Sequence, residues 1–247
     1  MKKAIKRWLN AILRIRGYEL KEIGSPLRGF SGCLAYAKTR GLSPNTVFDV
    51  GVGYGTPWLY EAFPRCKLVV FEPLALFKEA LDDLAARYNA DVHRVALGRE
   101  SGRAQFQINV GHPTSSSLLR IDSTFADFSA KVQRTHRFRQ QEVPVETLDK
   151  LNSYEPPYLL KLDVEGSELA VLTGAQKTLE QTDFLLLEMS VMPRLTNEPS
   201  FAEMIDFLDK CGFELFDIPS LAQTNGVEQL IYLDAAFVQK RSKLWPS

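Results

Sequence analysis

The stretch VFDVGVGYG, residues 47–55, places a glycine-rich turn directly after an apolar strand. Gly51, Gly53 and Gly55 allow the tight backbone geometry and the close approach of a ligand that such a turn needs. The next β-rich run ends at Glu72, twenty-one positions after Gly51. A carboxylate there would accept hydrogen bonds from the two hydroxyls of a cofactor ribose. Strand, turn and acidic strand end together predict a nucleoside-cofactor site, and a purely structural turn is the alternative.

The spacing of these glycines discriminates between two cofactors. A nicotinamide enzyme typically carries GxGxxG, whose third glycine packs the following helix on the strand and whose helix start receives a pyrophosphate. Here the spacing is GxGxG, and Asp49 directly precedes the first glycine. A carboxylate at that point repels a pyrophosphate but suits a cofactor with a cationic amino-acid end. The loop therefore favours S-adenosylmethionine, with Asp49 as a contact. A nicotinamide-dependent oxidoreductase and a non-catalytic cofactor-binding module are the alternatives.

Strands and helices alternate along most of the chain. Apolar runs predict the strands, and amphipathic periodicity predicts the helices between them. Strands are predicted at 46–50, 67–72, 91–97, 104–108, 158–163, 184–188, 213–218 and 230–238, and helices at 76–88, 167–180 and 201–211. This alternation predicts one α/β domain with a mostly parallel sheet and helices on both faces.

Two segments interrupt the alternation. Residues 1–40 read as an N-terminal helical extension, and residues 1–16 carry apolar side chains at helical spacing among six basic ones. That pattern predicts either a peripheral membrane contact or a helix packed on its own domain. Residues 111–141 are polar and rich in Ser, Thr and Arg. We expect an insertion over the active site there, since long loops in compact domains are commonly lids, and a solvated surface excursion is the alternative.

The composition disfavours several classes of protein. Thirty basic and thirty acidic side chains cancel, so the charge gives no support for a nucleic-acid partner. Cys33, Cys66 and Cys211 form no CxxC pair, which disfavours a disulfide framework and a structural zinc site and fits a reducing cytoplasm. The apolar runs are too short to span a bilayer. We expect a cytoplasmic protein, in peripheral contact with the inner face of the membrane if residues 1–16 bind it; the oligomeric state does not follow.

Four acidic side chains are predicted to meet at one edge of the sheet. Asp163 ends a predicted central strand, Glu165 and Glu168 follow it, and Glu188 ends the next strand. Ligands of α/β proteins gather at the carboxyl ends of the strands. Asp163 is therefore the candidate for orienting a substrate or acting as general base, with Glu165 and Glu188 beside it. Capping the next helix is the alternative role for Asp163.

The same carboxylates could also hold a magnesium ion. Acidic residues near a helix start stabilise its dipole without any ion, however. A divalent metal is therefore possible but not favoured.

Four motifs give the chain a resemblance to the FkbM family of methyltransferases. They are residues 49–55, FEP at 71–73, ETLD at 146–149, and LKLDVEGSE at 160–168 followed by VLTGA at 171–175. The last block resembles the family signature K-[IL]-D-V-E-G-x-E…VL-x-G-A, and the similarity extends over about residues 45–216. Residues 41–247 would then be the methyltransferase domain.

The resemblance implies a class I methyltransferase fold, which is a Rossmann-like, seven-stranded, mostly parallel sheet with an antiparallel last strand. It also implies S-adenosylmethionine-dependent O-methylation of a hydroxyl on a sugar, glycolipid or related secondary metabolite. A metal-assisted methyltransferase of another small hydroxylated substrate is the alternative. The partner expected is accordingly a small-molecule or glycan substrate.

The resemblance also assigns roles to individual residues. Asp49, Gly51 and Glu72 carry over as cofactor contacts. Ala96 would lie beside the adenine, and Ser117 would lie in an SSL element near the cofactor or substrate. Relatives usually read D-V-G-A-N-x-G where this chain has Val52 and Gly53. A contact from an asparagine side chain would therefore be absent, and backbone amides would replace it.

Overall fold

The computed structural model describes residues 28–122, 137–223 and 229–244. These residues form a seven-stranded main sheet, a three-stranded second sheet and flanking helices. Within them, no helix is long and apolar enough to cross a membrane. The predicted basic helix at residues 1–16 lies outside the described residues.

The described residues contain ten strands and seven α-helices. The strands are β1 Thr46–Val50, β2 Lys67–Phe71, β3 Asp91–His93, β4 Ala96–Leu97, β5 Gly102–Asn109, β6 Phe138–Glu146, β7 Tyr158–Leu162, β8 Thr182–Ser190, β9 Phe213–Gln223 and β10 Leu230–Gln239. The helices are α1 Gly29–Thr39, α2 Pro57–Ala62, α3 Lys78–Tyr88, α4 Leu148–Leu151, α5 Glu168–Thr173, α6 Gln176–Leu179 and α7 Phe201–Lys210. Short 3₁₀ turns cover Ala75–Phe77 and Pro113–Ser115.

The main sheet has the strand order β3-β2-β1-β7-β8-β10-β9. The pairs from β3 to β8 are parallel, whereas β10 runs antiparallel to both β8 and β9. The predicted topology, mostly parallel with an antiparallel last strand, is confirmed. Because β1 and β7 are neighbours, the loops that follow them meet at one edge, where the Asp163 amide donates to the Val50 carbonyl at 3.1 Å.

The central strands β1 and β7 are buried on both faces, and successive side chains enter two separate cores. In β1, Val47 packs into the cluster that includes Leu34, Leu59 and Leu81 of α1, α2 and α3. Its neighbour Phe48 packs into the opposite cluster, which contains side chains of α5, α6 and α7. Such two-sided burial is typical of a parallel sheet. The predicted helices on both faces are therefore confirmed.

Helix α1 belongs to the predicted extension at residues 1–40 and packs on the main sheet. Tyr36 stacks on Phe216 of β9 with ring centroids 5.4 Å apart, and Arg28 pairs with Asp217 at 2.9 Å. The end of the extension is thus joined to the domain core. The division at residue 40 stays a prediction.

The second sheet corrects two predicted boundaries. The strand expected at 91–97 is split, because β3 joins the main sheet while β4 pairs with β6. Strand β6 pairs with β5 and begins at Phe138, so the last four residues of the predicted insertion at 111–141 belong to a strand. None of the first five residues of β6 is buried, which explains why an apolar pattern is missing there. Residues 123–136 of the insertion lie outside the described residues.

The helix expected at 167–180 is broken into α5 and α6. A Cβ on Gly174 would lie 2.1 Å from the carbonyl oxygen of Gly98, so backbone from two distant segments meets at this point. The Gly174 carbonyl also accepts a hydrogen bond from the Asp149 amide at 3.1 Å. The Asp149 carboxylate accepts the amide of Thr178 at 2.8 Å in α6. A tertiary contact therefore ends α5 where periodicity alone predicts continuation.

Candidate active site

A cavity of about 330 Å³ opens at the carboxyl ends of β1, β2 and β7. Its volume falls in the usual range for ligand pockets. Residues 113–118, the start of the predicted insertion, contribute Pro113, Thr114, Ser116 and Leu118 to its wall. Four residues of the predicted insertion thus contribute to the cavity wall, and its role as a cover over the site stays a prediction. Other lining residues are Gly51, Gly53, Gly55, Glu72, Ala96, Leu97, Lys161, Asp163 and Asp234.

The glycine loop is shaped by contact with the loop after β7. Gly51 has φ +78°, and a Cβ there would lie 1.8 Å from the Asp163 carbonyl oxygen. Any other residue would push the two loops apart. Gly53 and Gly55 also have positive φ, at +53° and +104°. All three predicted glycines line the cavity, so the loop leaves room for a ligand beside its backbone.

Glu72 fastens the glycine loop to the end of β2. Its side chain is only 5% exposed, and its two oxygens accept the Gly53 amide at 3.0 Å and the Leu74 amide at 2.9 Å. Burial raises the pKa of Glu72, while these two hydrogen bonds oppose the increase. Each carboxylate oxygen can accept more than one hydrogen bond. Glu72 can therefore hold the loop and still accept from hydroxyls of a ligand in the cavity.

Asp49 lies beneath the cavity rather than in its wall. One carboxylate oxygen accepts the Lys161 ammonium at 2.9 Å, and the other accepts the Tyr60 hydroxyl at 2.5 Å. Lys161 also lies 3.5 Å from the Asp163 carboxylate. Burial by itself lowers the pKa of Lys161, but the two carboxylates more than offset this, and the net pKa is raised. Asp49 acts on the cavity through Lys161, and its direct contact with a cofactor stays a prediction.

The structure brings three of the predicted acidic side chains together. One carboxylate oxygen each of Asp163, Glu165 and Glu188 lies within 4.8 Å of the others. The Arg194 guanidinium lies against two of them, with Nη1 3.2 Å from Glu165 and Nη2 2.7 Å from Glu188. Nη2 is also 3.6 Å from Glu198. Arg194 therefore supplies the positive charge that balances these carboxylates.

Burial dominates the electrostatics of this acidic cluster. It raises the pKa of Glu165 to about 7, with Arg194 acting in the opposite direction. It also raises the pKa of Glu188 well above its usual range, and the Glu165 carboxylate adds to that increase. The carboxyls of Glu165 and Glu188 therefore share one guanidinium, and their mutual repulsion opposes ionisation of both at once.

The backbone at Glu165 is held in an uncommon conformation. Glu165 has φ +52°, in the left-handed region that non-glycine residues rarely adopt. The Ser117 hydroxyl donates to the Glu165 carbonyl at 2.6 Å. Ser117 thus contacts the loop after β7, whereas its neighbour Ser116 lines the cavity. The contact of Ser117 with cofactor or substrate stays a prediction.

Glu168, the fourth predicted carboxylate, turns away from the cluster. One of its oxygens accepts the amides of Val164 at 3.0 Å and Gly166 at 3.3 Å. Burial raises the pKa of Glu168 to about 8. Glu168 therefore closes the loop before α5. Asp163 instead lines the cavity and contacts Lys161, with its side chain 42% exposed.

Three residues of the site escaped the sequence reasoning. Tyr60 lies on α2, Arg194 follows β8, and Asp234 lies within β10. Arg194 follows β8, whose carboxyl end the sequence predicts to lie at the site. Asp234 is the one acidic residue in the apolar run 230–238. These two positions are therefore signals in the sequence that mark both residues as candidates for the site. Nothing local marks Tyr60, because its partner Asp49 reaches it only in the folded protein.

Comparison with known proteins assigns the family. Residues 49–215 match the model of the methyltransferase FkbM domain. The chain belongs to this family. As a member of this family, it is an S-adenosylmethionine-dependent methyltransferase domain. The matched region contains the glycine loop, Glu72 and the acidic cluster. Family membership disfavours the nicotinamide alternative. A search of curated proteins found no matching sequence.

Solved structures of other methyltransferases resemble the chain to different degrees. The methyltransferase FkbM from Methylobacillus flagellatus KT has a TM-score of 0.50 and 16% identity, and the match covers 81% of this chain and 47% of that one. This chain thus spans about half the length of that relative. A TehB-like SAM-dependent methyltransferase from Corynebacterium glutamicum has a TM-score of 0.42 and 11% identity, with 97% of each chain covered. Because the identity is only 16%, the likeness to the structure from Methylobacillus flagellatus shows a shared fold and nothing more.

Proposed function

We propose that the protein transfers the methyl group of S-adenosylmethionine to a hydroxyl of a sugar, a glycolipid or a related secondary metabolite. The observation that carries this proposal is the placement of Asp163. Its side chain is 42% exposed and lines the same cavity as the glycine loop and Glu72, while Glu165 and Glu188 beside it are paired with Arg194. Asp163 is therefore the carboxylate of the cluster that an acceptor can reach.

The cavity wall fits the chemistry of S-adenosylmethionine. In this proposal, Glu72 accepts from the ribose hydroxyls, Ala96 and Leu97 flank the adenine, and the loop containing Gly51, Gly53 and Gly55 passes beside the amino-acid end. When bound, the cofactor supplies a methyl group that is already activated on a sulfonium. The remaining task of the protein is to orient the acceptor and remove its proton.

Asp163 performs that task as general base. The acceptor hydroxyl must lose its proton while its oxygen gains the methyl group, and a carboxylate within hydrogen-bond reach can accept that proton. Lys161, held by Asp49 at 2.9 Å, lies 3.5 Å from Asp163 and fixes the position of its carboxylate. An ordinary aspartate is a weak base for an alcohol, so proton transfer occurs late in the reaction.

Glu165 and Glu188 lie beside Asp163 but do not line the cavity. Arg194 pairs with both, so their carboxylates are fixed and partly neutralised. A metal-assisted mechanism has one supporting observation, the approach of three carboxylates within 4.8 Å. An ion there would compete with Arg194 for Glu165 and Glu188. The proposal therefore assigns the neutralising role to Arg194.

The compartment of action in this proposal is the cytoplasm. Cys33, Cys66 and Cys211 are all free in the described part of the chain, and none is paired in a disulfide. Free thiols are typical of proteins in reducing compartments. The acceptor would then be a small molecule or a glycan precursor on the cytoplasmic side.

Binding and transfer measurements test the proposal together. We expect calorimetry to detect binding of S-adenosylhomocysteine. Mass spectrometry should detect one added methyl on extracted envelope glycans incubated with the protein and methyl-labelled S-adenosylmethionine.

Asp163→Asn should reduce transfer by about 100-fold or more, as for loss of a general base, while leaving S-adenosylhomocysteine affinity within about twofold. Asp91→Asn, at a partly exposed carboxylate on β3, is the matched control. Undiminished transfer by Asp163→Asn would remove Asp163 from the mechanism, and absence of cofactor binding would overturn the proposal itself.

A further inference from the structure

The cavity contains a second aspartate that comes from outside the family match. Asp234 lies in β10, opposite Glu188 of β8 and Ser220 of β9. It lines the same cavity as Lys161 and Asp163, although the family match ends at residue 215. The antiparallel last strand thus brings a carboxylate into the cavity. This carboxylate lies outside the residues that match the family model.

Asp234 is unusual for its strand. Its neighbours Leu233 and Ala235 are buried and apolar, as are most residues of β10. An acidic side chain in such a strand loses hydration, which is unfavourable unless partners compensate. Burial, with the Asp163 carboxylate adding to it, raises the pKa of Asp234 to about 6, while Ser220 and Lys161 act in the opposite direction. These partners compensate only in part, so a ligand that donates to Asp234 would complete its environment.

The two aspartates together define what an acceptor must offer. A carboxylate accepts hydrogen bonds and donates none when ionised. The cations near them are already engaged, Lys161 by Asp49 and Asp163, and Arg194 by Glu165 and Glu188. Beside Asp163 and Asp234, the cavity therefore suits an acceptor with two donor groups and disfavours an acceptor that carries a phosphate or carboxylate of its own.

Another part of the wall is aromatic. Phe30 and Trp58 both line the cavity, and their rings stack with centroids 4.4 Å apart. Aromatic rings provide apolar surface at little conformational cost. A wall of rings together with carboxylates suits a compact ring that carries C–H groups on one face and hydroxyls at its edge.

We propose that Asp234 is a positioning residue for the acceptor, which accepts a hydrogen bond from a second hydroxyl close to the one that is methylated. This inference rests on the proposed function, and it narrows the acceptor to an uncharged polyol such as a sugar ring. Asp163 takes the proton of the reacting hydroxyl, and Asp234 binds the neighbouring hydroxyl equally before and during methyl transfer, which holds the acceptor in the cavity.

The test compares an acceptor with its deoxy analogue. A panel of 4-nitrophenyl glycosides is first assayed for methyl transfer, and the methylated position is mapped on the best acceptor. Its monodeoxy analogue, lacking the hydroxyl next to the methylated one, is then assayed. We expect the wild-type KM to rise about 10- to 100-fold for the deoxy analogue, as for loss of a hydrogen bond to a charged group, with kcat changed much less.

The variant Asp234→Asn should reproduce part of that rise in KM for the parent acceptor, because its amide oxygen accepts a weaker, neutral hydrogen bond. The KM of the deoxy analogue should be the same for wild type and variant. Asp183→Asn, at a half-buried carboxylate on β8 that does not line the cavity, is the control and should behave as wild type.

Equal KM values of wild type for parent and deoxy acceptors would overturn the inference even if Asp234→Asn failed to fold. Methylation of glycosides with no effect of Asp234→Asn would also overturn it, while the proposed function would stand. Absence of methyl transfer to every glycoside and extract would defeat the proposed function, and this inference with it.

Discussion

At the scale of single residues, Lys161 is the ion that the site depends on. Its ammonium neutralises Asp49, which is fully buried, and extends to Asp163 in the cavity. Removing one member of a buried ion pair leaves the other charge uncompensated. We expect Lys161→Met to lower the free energy of unfolding by about 3–5 kcal/mol. Tyr60→Phe removes only one hydrogen bond to Asp49 and should lower it by about 1–3 kcal/mol.

Urea denaturation of the two variants measures this difference. The double variant Asp49→Asn with Lys161→Met removes both charges, and it should recover part of the stability that Lys161→Met loses. If the single and double variants are equally unstable, the loss comes from packing of the lysine stem rather than from the uncompensated charge of Asp49.

Glu168 makes a second residue-scale prediction, on pH. Burial raises its pKa to about 8 in the folded protein, above the ordinary value of 4.5. Between these pH values the folded state keeps a proton that the unfolded chain has released. The stability from protonated Glu168 is therefore complete below pH 4.5 and is lost as the pH rises toward 8. Wild type should lose stability over this range more steeply than Glu168→Gln, by up to about 1.4 kcal/mol per pH unit.

Denaturation curves of both proteins at several pH values check this slope, since other titrating groups are common to the two. Parallel pH dependences of wild type and Glu168→Gln would show that Glu168 ionises normally.

At the scale of elements, the sequence predicted what continuous apolar runs encode. Strands β1 and β7 are buried at every position, so their runs stand out and their boundaries are nearly right. Strand β6 was missed because its first half is unburied, and the break between α5 and α6 was missed because its cause is Gly98, far away in sequence. Long-range contacts of this kind leave no local periodicity.

Gly174 turns this observation into a prediction. A Cβ there would lie 2.1 Å from the Gly98 carbonyl oxygen, and backbone cannot yield as a flexible side chain would. We expect Gly174→Ala to lower the free energy of unfolding by about 1–3 kcal/mol, as for overpacking. Gly102→Ala is the matched control, since a Cβ at Gly102 meets nothing within 4 Å, and it should change stability by less than about 0.5 kcal/mol. Similar effects of both substitutions in thermal unfolding would argue against a close approach at Gly174.

At the scale of the whole molecule, strand order explains which parts of the site were predictable. Ligands gather where parallel strands end, so the glycine loop, Glu72, Asp163 and Glu188 were expected to meet before their geometry was known. Asp49 was expected to face the cofactor, but its burial with Lys161 depends on which side chain β7 places beside β1. Asp234 enters from a strand that is antiparallel to its neighbours, where the rule for strand ends does not apply.

The same arrangement predicts how a ligand stabilises the fold. The cavity is lined by loops of the main sheet, by β4 of the second sheet and by residues 113–118. A ligand there contacts both sheets, so it should stabilise them in one cooperative transition. At 100 times its Kd, S-adenosylhomocysteine should contribute about 2.7 kcal/mol and raise the Tm by about 5–10 °C.

Glu72→Gln should reduce that shift relative to its own unliganded Tm, because the ribose loses its carboxylate acceptor. Glu142→Gln, at an exposed carboxylate on β6, should keep the full shift. An equal shift in both variants would place the ribose away from Glu72, and two separate transitions would show that the sheets unfold independently.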